Sequence, residues 1–189
     1  MVTIRNETIR DVDAREALLD RVWGDTRFQK TAERLREDRR PAEGLSFTAA
    51  DSRRLVGTVR LWQVCAGPSR PALLLGPLAV DEARRGCGIG AALMLRALAT
   101  AKRLGHAAVL LVGDEPYYGR FGFSAEKTSG LWLPGPYERH RLLACELKAG
   151  ALDGARGLVG ATGEIAPRPS LNALVAGLAH GDSRAARAA

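Results

Sequence analysis

Two groups of residues in this chain have types and spacing suited to chemistry. One is the run Arg85-Gly86-Cys87-Gly88-Ile89-Gly90, with its three alternating glycines; the other is the pair Tyr117 and Tyr118. Alternating glycines remove the Cβ atoms that would keep a phosphate away from backbone N–H groups. The run opens onto Gly90–Arg103, where Leu93, Met94, Ala97, Leu98 and Ala101 share one face and predict a helix. The first turn of a helix has unpaired N–H groups and carries roughly half a positive charge. A pyrophosphate fits there without side-chain help, and Arg84 and Arg85 could add ionic contacts. A phenol beyond the following strand could share a proton with whatever the loop holds. The bland alternatives are a glycine-rich turn without a ligand and tyrosines that simply fill the core.

The ligand class narrows by elimination. A P-loop ends in Gly-Lys-Ser/Thr, which is absent here. Gly86, Gly88 and Ala91 satisfy the dinucleotide pattern G-x-G-x-x-A, but Asp81 to Arg85 separate them from the preceding strand. The acidic residue expected about 20 positions later is also missing, since none occurs before Asp114. A nicotinamide-dependent oxidoreductase is therefore the weaker alternative. Cys87 has no base near it in sequence, so its backbone N–H and not its thiol is what the loop uses.

The elements around these residues follow from periodicity. Val2–Ile4 starts a strand, and Ile9–Trp23 predicts a helix with Asp11 or Asp13 at its N-cap. A second, strongly charged helix is expected over Phe28–Arg39. Leu45–Ala50, Arg54–Gln63 and Pro71–Val80 read as strands, the last with a continuous apolar run typical of a strand covered on both faces. Gly76–Pro77 interrupts it and predicts a local loss of pairing near Leu78. After the helix, which Gly105 should cap, Ala107–Val112 predicts a parallel strand reached by a right-handed crossover. Arg141–Leu147 is the final strand expected. Antiparallel strands followed by strand–helix–strand imply an α/β class with a mixed sheet. The expected domain is 1–148, with 149–189 an Ala- and Gly-rich extension carrying a short helix at 170–179.

Composition sets limits. With 189 residues, 46% hydrophobic and 26% charged, the chain suits one ordinary globular domain. The net charge of +7 suggests attraction to polyanions, but no basic run exceeds two residues and aromatics are only 5%. Dispersed Arg without stacking residues argues against a dedicated nucleic-acid surface. No apolar run approaches 18 residues and residues 1–25 do not read as a secretory signal, so a cytoplasmic location and no membrane are expected. Cys65, Cys87 and Cys145 show no CxxC spacing, so free thiols are expected and no metal site is indicated.

Arg85-x-x-Gly88-x-Gly90 fills the Gln/Arg-x-x-Gly-x-Gly/Ala signature of the GNAT superfamily of N-acetyltransferases, and LAVDEARRGCGIG resembles its bacterial members. Tyr118-x-x-x-Gly122-Phe123, in the run YYGRFGF, resembles the family's second motif. The resemblance covers about residues 2–148. It implies the GNAT acyl-CoA N-acyltransferase fold, with a mostly antiparallel twisted sheet flanked by helices, and acetyl-CoA as co-substrate. Backbone groups of Leu78, Ala79 and Val80 would pair with the pantetheine arm and thioester. Arg85, Gly86, Cys87, Gly88, Ile89, Gly90 and Ala91 would hold the pyrophosphate, in a cleft where the strands on either side of the helix splay apart.

The family register selects Tyr118 over Tyr117 as the acid for the departing CoA thiolate. A phenol of pKa about 10 suits a thiol of about 8.5. The acceptor would be a small-molecule or peptide amine attacking directly in a ternary complex, and the tail from Ala149 could close the site or mediate a homodimer. No motif assigns the base; Asp114 and Glu115 are candidates by location alone. A non-catalytic CoA-binding module on the same fold is the competing class.

Overall fold

The alternating and apolar runs form strands in the computed structural model, which describes residues 1–52 and 54–167. They are β1 (Val2–Asn6), β2 (Ser46–Asp51), β3 (Arg54–Ala66), β4 (Pro71–Val80), β5 (Ala108–Val112), β6 (Leu131–Trp132), β7 (Leu142–Glu146) and β8 (Gly157–Ala161). The main path of the sheet runs β1-β2-β3-β4-β5-β7, antiparallel at every step except β4–β5. That single parallel step is the crossover expected from strand–helix–strand. A doubly wound dinucleotide fold needs a mostly parallel sheet, so this topology removes the nicotinamide reading.

Helices cover both faces. α1 (Val12–Trp23) places Leu18 and Leu19 on Leu55 and Ala79. A short turn, α2 (Thr26–Gln29), follows it. α3 (Ile89–Arg103) buries Ile89, Leu93, Met94 and Ala97 against Phe47, Val59, Leu61, Leu73 and Val109. Gly57 allows this close approach, since a Cβ there would lie 3.0 Å from both Ile89 and Leu93. Gly105 ends the helix at φ +86°, with the His106 N–H donating back to the Ala101 carbonyl at 3.1 Å. The opposite face buries Trp62, Val64, Leu74, Leu110 and Leu142 under Leu131, Leu133 and Leu152.

Two expectations are corrected. The Phe28–Arg39 helix does not form. α2 stops at Gln29, Lys30 is extended (φ −68°, ψ 133°), Thr31–Leu35 is a 3-10 turn and Asp38 takes a positive φ. The physical reason is the thin apolar side: with only Leu35 and Thr31 buried in that turn, a continuous helix would gain little packing. The sheet also continues past residue 148. β8 pairs with Val64–Ala66 at the end of β3, Leu152 and Val159 are fully buried, and the Glu146 carboxylate accepts the Leu152 N–H at 2.7 Å. The helix expected at 170–179 lies outside the described residues. No described helix is long and apolar enough to cross a membrane.

Candidate active site

The cleft begins where β4 breaks from its neighbours. Val59 faces Leu78 and Leu61 faces Leu75, so Gly76 and Pro77 together stand opposite Arg60 in a bulge. Pro77 has no N–H to offer a ladder. The carbonyl that Gly76 would otherwise leave orphaned accepts the Trp62 indole N–H at 2.6 Å. On the other edge, β4 pairs with β5 only at Leu73–Val109 and Leu74–Leu110; beyond these residues the two strands part.

This opening exposes particular backbone groups. Asp81 N–H donates to Val56 O at 2.9 Å. Antiparallel ladders alternate, so the next pair, Thr58–Ala79, directs its backbone groups toward each other. Leu78 and Val80 then turn their N–H and C=O away from β3, toward the gap. Of the three residues expected to face a thioester arm, Ala79 has its backbone committed to β3.

The glycine loop lies at one end of the gap. Asp81 anchors its start: its buried carboxylate accepts Ala83 N–H at 3.1 Å and pairs with Arg54 at 2.7 Å. Gly86 (φ +79°) and Gly88 (φ +76°) are left-handed, with open space where a Cβ would stand. The first intrahelical bond runs from Ala92 N–H to Gly88 O at 2.9 Å, which leaves the Ile89, Gly90 and Ala91 N–H groups ahead of it at the helix end. The Ile89 side chain is buried in the core, while Cys87 is an exposed free thiol. Arg85 is exposed and pairs with Glu82 at 3.1 Å, and Arg84 pairs with Asp51. Such surface pairs are weak enough to exchange for a phosphate.

The two tyrosines separate in space. Both end the short helix α4 (Glu115–Tyr118), which Pro116 opens. Their rings meet edge to face with centroids 4.8 Å apart. Tyr117 points to the glycine loop: a Cβ on Gly90 would stand 2.8 Å from its hydroxyl. Tyr118 lies over Gly113, where a Cβ would come within 2.2 Å of its ring, and it lines the cleft beside Leu78. Burial, then the neighbouring Tyr117 and Asp114, push its phenol up to about 12. Its hydroxyl has no hydrogen-bond partner among the described residues.

Beyond Tyr118 and the bulge the gap widens into a cavity of about 670 Å³. α1, α2, the 3-10 turn after them and the loop Pro136–Arg141 form its outer wall. Four of its cations are paired: Arg27 with Glu16 and Asp20, Arg36 with Glu33, Arg60 with Glu7, and Arg141 with Asp114 and Glu138. The carboxylates of the cavity are therefore all engaged with cations. Asp114 lines it, pairing with Arg141 at 3.2 Å, whereas Glu115 is not among the lining residues.

Sheet, parted strands, free helix end and phenol together define an acyltransferase of the N-acetyltransferase type. Residues 10–123 match the Acetyltransferase (GNAT) family, and the chain belongs to that family. Its relatives include the uncharacterized N-acetyltransferase YhbS of Escherichia coli K12, 33% identical over 157 residues that span 82% of this chain and 93% of the relative. Among solved structures, the Escherichia coli YhbS complex with CoA shares 31% identity over 85% of this chain and 89% of that one, with a TM-score of 0.73. A GNAT family acetyltransferase from Brucella melitensis in complex with acetyl-CoA shares 27% identity over 81% and 99%, with a TM-score of 0.53.

Proposed function

We propose that this chain moves an acetyl group from acetyl-CoA to a primary amine by direct attack in a ternary complex. The observation that carries the proposal is the parting of β4 and β5 after Leu74 and Leu110, with the open end of α3 at one side and Tyr118 at the other. The pyrophosphate would take N–H groups from Gly86 to Ala91, at the positive helix end. The pantetheine arm would run along β4, pairing with the outward backbone groups of Leu78 and Val80.

The amine nitrogen attacks the thioester carbonyl carbon, and the Leu78 N–H steadies the charge that grows on its oxygen. The C–S bond then breaks and the thiolate takes its proton from Tyr118, which solvent re-protonates. Because the cavity carboxylates are held by cations, the attacking species is the neutral fraction of the amine, and the proton it sheds on acylation passes to water.

The test uses the full chain with acetyl-CoA, NAD and an amine panel. Acetyl-CoA at about 100 times its Kd should stabilise the fold by about 2.7 kcal/mol, while NAD leaves the melting temperature where it was. Free CoA should appear only when a suitable amine is added. Binding without CoA release from any amine would leave a non-catalytic acyl-CoA module on this fold; absence of binding would remove both readings.

A further inference from the structure

The charged wall of the cavity is unbalanced at one point, and the imbalance bears on the acceptor. Of the five cations that line it, Lys30 alone has no carboxylate partner among the described residues. Its ammonium sits 3.3 Å from the centroid of the Trp23 ring, a contact that steers a cation without neutralising it. Burial, then the fields of Arg36 and Arg141, hold that ammonium below the usual lysine value. Lys30 is itself solvent-exposed where it lines the cavity, so its ammonium is open to an anion that enters.

Arg36 supplies an independent observation. Its side chain is only 6% exposed, and Glu33 takes one terminal nitrogen at 2.8 Å. Its Nε is buried without a hydrogen-bond acceptor among the described residues, as are the Nε atoms of Arg27 and Arg141 on the same wall. Buried guanidinium nitrogens are rarely left unpaired, because the desolvation goes uncompensated. Its other terminal nitrogen approaches Gly76, 3.4 Å from where a Cβ on that residue would stand. Arg36 thus meets the bulge two residues before Leu78. That placement suits a short molecule with its amine at Leu78 and an anion at the arginine.

We propose, resting on the transfer reading above, that the acceptor amine carries a carboxylate, which Lys30 and Arg36 hold in this cavity while the amine faces the acetyl group beside Leu78. A planar carboxylate suits a guanidinium fork with a lysine alongside. The Glu33–Arg36 pair keeps the arginine oriented before the substrate arrives. The substrate class is therefore amino acids and related amino carboxylates. Simple alkylamines and polyamines, which are cationic throughout, would meet repulsion from the same wall.

The experiment compares each of the twenty L-amino acids with its C-terminal amide, and with phosphoethanolamine, by CoA release from the full chain. For the best amino acid, kcat/KM should exceed that of its amide at least tenfold, mostly through KM. Lys30→Met should bring that ratio close to one, and Lys30→Arg should restore it, with acetyl-CoA affinity as the check that the fold is intact. A second measurement does not need turnover: in the presence of CoA, the N-acetylated amino acid should raise the melting temperature more than its N-acetyl amide, and Lys30→Met should erase the difference.

Equal use of acid and amide, a preference for phosphoethanolamine, or an unchanged ratio in Lys30→Met overturns the proposal. If no amine releases CoA, the transfer reading fails. The product-binding comparison still decides whether the cavity takes a carboxylate.

Discussion

Replacing Tyr118 by Phe removes one oxygen and little else. The ring keeps its place over Gly113 and its edge contacts with Tyr117 at 4.8 Å and Phe123 at 6.2 Å. The lost hydroxyl has no hydrogen-bond partner among the described residues, so folding stability should change by less than about 1 kcal/mol. A positioned general acid contributes typically about 10²- to 10⁴-fold. With its pKa pushed up to about 12, Tyr118 is a weaker acid than a free phenol, and proton transfer to a thiolate of about 8.5 is uphill. The loss should therefore fall near the lower end, about a hundredfold in kcat or about 2.7 kcal/mol of barrier. The assay is CoA release at saturating acetyl-CoA and amine, with calorimetry for the acetyl-CoA Kd. Tyr117→Phe serves as the paired control and should retain kcat within a few-fold. A Tyr118→Phe enzyme with kcat within threefold of the parent refutes the acid role, as does a loss fully matched by weaker acetyl-CoA binding.

Three further outcomes follow from the same geometry. Because the Tyr118 phenol is protonated in the folded state up to about 12, kcat/KM should rise with pH as the amine deprotonates and show no decline from this group below about pH 11; a decline near pH 9 to 10 that vanishes in Tyr118→Phe counts against the raised value. Gly88→Ala puts a Cβ at φ +76° in open space, so it should cost about 1 kcal/mol from backbone strain alone, read by urea denaturation. Trp62→Phe takes away the N–H that satisfies the Gly76 carbonyl at 2.6 Å; it should destabilise by about 1–3 kcal/mol and raise the KM for the amine, measured by denaturation and steady-state kinetics.

Local signals in the chain determined the main strands, the long helix and the glycine loop. Alternating and continuous apolar runs predicted β1 to β5 and β7 within a few residues, and the apolar stripe Leu93–Ala101 predicted α3, because burial is written directly into residue spacing. The glycine spacing announced an open helix end, since left-handed φ and missing Cβ atoms are properties of single residues. Gly76–Pro77 announced a break in pairing for the same reason: proline's missing N–H is local.

What only the tertiary structure decided depends on partners distant in sequence. Phe28–Arg39 has the charge pattern of a surface helix, yet it ends as the outer wall of a cavity because its few apolar groups are satisfied there in a 3-10 turn. The family register separates Tyr118 from Tyr117, but the physical difference is tertiary: the ring seated on Gly113 sends one to the cleft and the other to the glycine loop. β8 reads as glycine-rich tail until β3, extending beyond the end of β2, offers it an unpaired edge. Lys30 is an exposed lysine whose setting appears only when Arg36, Arg141 and Trp23 are gathered around it and every carboxylate lining the cavity is taken by another cation. Charge balance in a cavity is a sum over groups brought together from α1 to the loop before β7, and no window of sequence contains that sum.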